Sequence, residues 1–267
     1  MSEPPIDSEQ PDDAAAPPPR TLWRVGFPKV IVHTATVIRD HHPSYPGAKA
    51  GDEDAALILA EDLLTGAATN TLRVVVADRG AILLPVTALE TTGFNAIPDA
   101  MAQVLGRELG LRVSAGEIVQ TNKVGHTRAK AFNRLVTPAQ FEGHVERDAI
   151  YVLVDDHVGL GGTLANLKGY VESRGAVVIA MTTLTESRDA RQIALRPDTL
   201  SVLRERHGDP LENFWQEQFG HGLECLTEVE AINLGREQTL DAIRDRLAQA
   251  AVEARGRGLE PAVDVGG

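Results

Sequence analysis

Apolar positions recur along this chain with two periods, and the change from one to the other divides it into elements. The run Ile-Tyr-Val-Leu-Val at 150–154 is continuous and rich in β-branched residues. It is too short for a helix and alternates too little for a half-exposed strand, so it predicts a buried parallel strand. A second such strand is predicted over 176–183. Between them Leu164, Leu167 and Val171 fall at helical spacing over 163–174, with Gly175 where a C-terminal cap belongs. Strand, helix and strand in this order imply a right-handed crossover. Further strands are predicted as two short pieces within 23–38, broken by Gly26 and Pro28, and at 72–77, 81–86 and 118–119. Asp78-Arg-Gly80 reads either as a tight hairpin between 72–77 and 81–86 or as a functional βα loop, and 87–95 is the rival loop. Helices are predicted at 52–64, on Ala56, Leu57, Ala60, Leu63 and Leu64 with Gly66 after the end, and at 97–109, on Ile97, Met101, Val104 and Leu105. Others follow at 199–207 with Asp198 as N-cap, 211–219, 223–234, and 240–253 with Thr239 as N-cap.

Composition adds boundaries to this pattern. Residues 1–20 hold six prolines and little to bury, which predicts a disordered tail. The expected organisation is therefore a tail at 1–20, an N-terminal strand and helix extension at 21–71, an α/β core at 72–207, a C-terminal helical appendage at 208–256, and a frayed end at 257–267. The 267 residues carry 26 Lys and Arg against 38 Asp and Glu, a formal net charge of −12, which opposes non-specific nucleic-acid binding. A single cysteine, Cys225, excludes an intramolecular disulfide and a cysteine-rich zinc site and fits a reducing compartment. The sequence has neither a basic-then-apolar leader nor an apolar run long enough to span a bilayer, so the expectation is a cytoplasmic protein with no membrane partner. His33, His41 and His42 lack partner acids at ligand spacing, and no metal site is expected there.

The chemistry concentrates where the strand at 150–154 ends. Asp155 and Asp156 follow it, then a loop with Gly159, Leu160, Gly161, Gly162 and Thr163, then the helix. Open α/β sheets bind ligands beyond the C-terminal ends of their strands. Glycines there let backbone N–H groups reach an anion at the helix N-terminus. Adjacent carboxylates accept hydrogen bonds from sugar hydroxyls or hold a hydrated divalent cation, so the pattern suits a ribose 5-phosphate. His157 reads as a strand-end histidine packed on the loop, or as a proton carrier.

Residues 152–156 and 161–164 resemble the phosphoribosyl-diphosphate motif of the type I phosphoribosyltransferases. Thr92-Gly-Phe-Asn95, with the helix that follows, resembles an element of the competence-associated members, with Thr92 in place of their arginine. Lys130 and Asn133 sit at the spacing of their Arg-x-x-Asn element. His157 stands where the family has an aliphatic residue, and Gly159 and Leu160 where it has hydroxyls. The resemblance implies a parallel-sheet, Rossmann-like phosphoribosyltransferase-type core. It further implies a glycosyltransferase of nucleotide metabolism that moves a phosphoribosyl group to or from a nitrogenous base with Mg²⁺. In that scheme Asp155 and Asp156 are catalytic and hold the ribose, residues 159–163 cradle the 5-phosphate, and Thr87, Thr92 and Gly93 meet the diphosphate. Lys123, Arg128 and Lys130 belong to a basic flap, for which the alternatives are a solvated loop or a patch for an acidic partner. Thr182, Thr183 and Thr185 would be placed for base contacts. The alternative function is a non-catalytic module that binds phosphoribosyl diphosphate or a nucleotide and signals to a partner through the helical appendage. Trp215 and Phe219 are read as core, with a subunit interface, as in a homodimer, the other use of that appendage.

Overall fold

The computed structural model describes residues 19–90, 93–122 and 131–263. In chain order the elements are β1 (Ile31–Val32), the short helices α1 (Thr36–Asp40) and α2 (Tyr45–Lys49), α3 (Glu53–Leu63), α4 (Gly66–Val76), β2 (Ile82–Pro85), β3 (Thr87–Glu90), β4 (Gly93–Phe94) and α5 (Ile97–Leu109). Then come β5 (Arg112–Val113), β6 (Ile118–Gln120), α6 (Ala131–Val136), β7 (Phe141–Gly143), β8 (Ile150–Val158), α7 (Gly162–Ser173), β9 (Val177–Glu186), α8 (Pro197–Phe219), α9 (Glu228–Leu234) and α10 (Leu240–Arg255).

A parallel sheet in the order β1-β9-β8-β2-β5 forms the centre. The continuous apolar run of β8 follows from burial on both faces. Val152 and Val154 join Leu83 and helices α3 to α5 in one core, while Tyr151 and Leu153 join Ile82, Leu84 and α7 in another. From β2 the chain crosses through α5 to β5 on one side, and from β8 through α7 to β9 on the other. The crevice between β2 and β8 is therefore the topological switch point, where such sheets bind ligands. A smaller sheet, β4-β3-β6-β7, stands beyond the end of β2.

Several expectations are corrected here. Residues 72–77 are not a strand: they end α4, in which Ala68, Thr69, Leu72 and Val76 are buried while Val74 is 77% exposed. That burial follows a helical period, which outweighs the β propensity of three consecutive valines. Asp78 to Gly80 accordingly joins a helix to a parallel strand and forms no hairpin. Of the two strands expected within 23–38 only β1 forms, and α1 begins at Thr36 within the span of the second. The loop expected over 87–95 is a hairpin, β3 against β4. The helices expected at 199–207 and 211–219 both form, as the two limbs of α8 on either side of a break at Gly208, whose backbone is non-helical, and Pro210.

The C-terminal helices form no detached appendage. Phe132, Leu135 and Val136 of α6 share a third core with Leu211, Trp215, Phe219, Leu234, Ile243 and Leu247. Trp215 and Phe219 stack there, with ring centroids 4.0 Å apart. Arg20, expected in the tail, is ordered: its guanidinium donates to Asn166 Oδ1 of α7 at 2.7 Å and to both carboxylate oxygens of Glu230 of α9, at 2.6 and 2.9 Å. The N-terminal segment thus straps α7 to α9.

Candidate functional site

At the switch point two adjoining cavities share the walls Arg134, Asp155, His157 and Thr163. The larger, ≈ 370 Å³, is also lined by Arg39, Tyr45, Lys49, Asn95 and Gln120. The smaller, ≈ 40 Å³, lies against Gly159, Gly161 and Gly162 at the N-terminus of α7. Gln120 Oε1 is buried with no hydrogen-bond partner among the described residues.

The two acids lie inside β8, in register with β9 (Asp155 opposite Thr183), and both are buried. Their charges diverge. Burial, reinforced by the neighbouring Asp156 charge, pushes Asp155 well above the usual carboxylate range. Burial acts on Asp156 in the same direction, but Lys49 Nζ at 2.8 Å, aided by Arg39, outweighs it and holds Asp156 below that range. Asp155 Oδ1 meanwhile accepts the backbone N–H of Asp156 at 2.8 Å. Arg39 stacks over Tyr45, 4.7 Å from the ring centroid, and donates to Thr185 Oγ1 and Asp40 Oδ1. His157 lies 2.8 Å from Thr185 Oγ1 and 3.0 Å from Ser187 Oγ, and burial lowers its pKa. That is the packed strand-end histidine.

A Mg²⁺ held by these acids is a poor fit. Asp156 already pairs with Lys49 Nζ at 2.8 Å, so a dication there would have to displace that ammonium group.

The glycine loop faces two ways. Gly161 caps α7 with φ +82°, a left-handed conformation that glycine adopts without strain. On the cavity side, a Cβ at Gly159 would come 3.1 Å from Arg134 Nη1. On the far side the loop abuts α9: Thr227 Oγ1 donates to Leu160 O at 2.6 Å, and a Cβ at Gly162 would come 2.9 Å from Glu230 Oε1. Thr227 and Glu230 form the capping box of α9. Close packing on α9 therefore explains Gly162 without any ligand.

Of the expected site residues, the structure brings together Asp155, Asp156, Gly159, Gly161, Gly162 and Thr163, with Leu160 contributing a carbonyl to α9. Thr87 lines a different cavity, and Gly93 pairs with Glu90 in the hairpin. Thr92, Lys123, Arg128 and Lys130 lie outside the described residues. Thr182, Thr183 and Thr185 are fully buried, and their hydroxyls donate to Ile31 O, Thr185 O and Asp156 O, so the expected base contacts are replaced by internal ones. Sequence reasoning missed Arg39, Tyr45, Lys49 and Gln120 as walls. Arg134, expected as the last cation of the basic flap, instead stands on α6 and walls both cavities.

No family model matches the chain. Protein TraN of Escherichia coli is 40% identical over 231 residues, 86% of this chain and 51% of that protein. An uncharacterized protein of Haemophilus influenzae is 41% identical over 152 residues, 57% of this chain and 34% of that protein. The chain thus spans about half the length of the first relative and about a third of the second. Among solved structures, a hypoxanthine phosphoribosyltransferase of Staphylococcus aureus matches at 14% identity and TM-score 0.35, over 54% of this chain and 70% of that one. A purine phosphoribosyltransferase of Pyrococcus horikoshii matches at 17% and 0.27, over 50% and 82%. Likeness that slight assigns no fold family.

These findings correct the expected identity. The extended sequence relationship is to TraN, whose name is not that of a phosphoribosyltransferase. It displaces membership of the type I phosphoribosyltransferases, the glycosyltransferase activity, the place in nucleotide metabolism, and phosphoribosyl diphosphate or a nucleotide as partner. Among the described residues no helix is long and apolar enough to cross a membrane.

Proposed function

We propose that the chain is a non-catalytic binding module whose strand-end cavity takes a small phosphorylated ligand and whose C-terminal helices pass occupancy to a protein partner. The observation that carries this reading is the two-sided loop: one face lines the cavity with Arg134, and the other is bonded to α9 through Thr227 and Leu160. A ligand that reshapes 159–163 must strain or relax that contact. The phosphate belongs at the N-terminus of α7, where backbone N–H groups and the helix dipole favour an anion and Arg134 adds a charge-assisted donor. Arg39 lines the adjoining cavity together with Arg134. The finer description of the fold, a phosphoribosyltransferase-type core without turnover, belongs to this same reading. Its support is the switch-point placement of the acid pair together with the commitment of Asp156 to Lys49.

Calorimetric titration of ribose 5-phosphate tests it. The expected result is saturable binding, indifferent to Mg²⁺ and weakened about tenfold or more by Arg134→Gln, the loss of one charge-assisted contact. Wild type that shows no saturation, or a variant that binds equally well, overturns it.

A further inference from the structure

We propose that the cavity between α3, α5 and the β3–β4 hairpin is a second binding site, one that takes an ammonium group carried on an aliphatic stem. The site is independent of the phosphate reading. Successive residues of a strand face opposite sides, and β3 uses both: Ala88 lines the cavity that holds Arg39, Lys49 and Arg134, whereas Thr87 lines this one, of ≈ 460 Å³. The charges on the two sides are opposite. Here the ionisable walls are Glu53, Asp54 and Asp99, accompanied by Leu57, Phe94 and Ala100.

Glu53 and Asp54 have an ordinary explanation, since acids in the first turn of α3 favour its dipole. Thr87 and Asp99 do not share it. Thr87 is 9% exposed, and its hydroxyl has no hydrogen-bond partner among the described residues. Asp99 Oδ2 is likewise buried and unpartnered. Burial, with the Glu53 charge added, pushes the Asp99 carboxyl up to about 6. Buried polar oxygens are normally paired, so two in one cavity mark where a donor belongs.

The chemistry of that donor follows by comparison. An anion meets three carboxylates. An apolar guest leaves both oxygens unpaired. A metal ion lacks its ligands, because among the described residues no group of three His, Cys, Asp or Glu side chains is arranged to hold one. An ammonium group brings three donors and a positive charge, and a short methylene stem packs on Leu57 and Phe94 as lysine stems pack on apolar surface. Free diamines and a lysine side chain of another protein both offer this group.

Two probes separate those sources: 1,5-diaminopentane and a blocked Gly-Lys-Gly peptide, each titrated calorimetrically, with 1-pentanol as the neutral control. The expected result is saturable binding of at least one amine and none of the alcohol. Asp99→Asn should weaken it about tenfold or more by removing a charge-assisted acceptor, and Thr87→Val about fivefold by removing a neutral one. Glu53→Gln, at an exposed position, should weaken binding without altering the fold, so the test survives if a buried variant misfolds. Tighter binding of the diamine assigns a free ligand, and tighter binding of the peptide assigns a partner's lysine. No saturation by either amine, or affinities unchanged in all three variants, overturns the proposal.

Discussion

Asp156 and Lys49 decide what the acid pair does. Their contact is largely buried, and breaking such a pair from one side leaves a charge without compensation. Lys49→Met should therefore destabilise the fold by about 3 kcal/mol, read from denaturant midpoints, and Asp156→Asn with Lys49→Met together should recover part of that loss. A pair poised instead to receive a ligand would tolerate Lys49→Met with little loss. His33 supplies a second residue-scale outcome. Its Nδ1 accepts the Thr65 N–H at 3.2 Å, so Nε2 carries the proton and donates to Thr182 Oγ1 at 3.1 Å, and burial lowers its pKa to about 4. Between that value and the ordinary one of about 6.5, the unfolded chain binds the proton and the native chain does not. The stabilisation is complete above the ordinary pKa and fades as pH falls toward the folded one. His33→Asn, which keeps an acceptor for Thr65, should remove about 2 kcal/mol of the stability that wild type loses between about pH 7 and pH 5, checked by urea unfolding at both. At this scale the sequence was informative where chemistry is local: Asp155, Asp156 and the glycines stand together in the chain. Lys49 was illegible because its partner lies 107 residues away.

Among the elements, α5 was legible to the residue, since Ile97, Met101, Val104 and Leu105 repeat along one face and Gly110 caps it in the left-handed region. The misread element, α4, failed because Val74, Val75 and Val76 look like a strand until burial picks out Leu72 and Val76 as neighbours one turn apart. The glycine loop was read as backbone reaching for an anion, whereas the structure accounts for Gly161 by a left-handed N-cap and for Gly162 by the wall of Glu230, which belongs to an element far along the chain. Two outcomes follow. Thr227→Val removes the side-chain cap of α9 and its bond to Leu160 O together, and should cost about 2 kcal/mol in thermal or chemical unfolding. Gly162→Ala should push Glu230 from its place and weaken its bond to Arg20, lowering the thermal midpoint, whereas Gly66→Ala, at a helical position where no neighbouring atom lies within 4 Å of the added Cβ, should not lower it.

For the molecule as a whole, the sequence pattern fixed an α/β parallel sheet and a helical C-terminal region but misjudged how they join. Domain boundaries placed the helices at 208–256 outside the core; α8 does break there, at Gly208, but α6 buries Phe132, Leu135 and Val136 among α8 and α10. Asn133 Nδ2 donates to Glu253 of α10 at 2.9 Å, and α6 also carries Arg134 into the cavity. The cavity wall and the C-terminal bundle are thus one mechanical unit, which is what a module acting through its helices requires. The decisive measurement is amide hydrogen exchange of the wild-type chain with and without saturating ribose 5-phosphate. The account predicts slower exchange both in the loop 159–163 and in α9 on ligand addition. Protection confined to the loop, or no change in either, would contradict it.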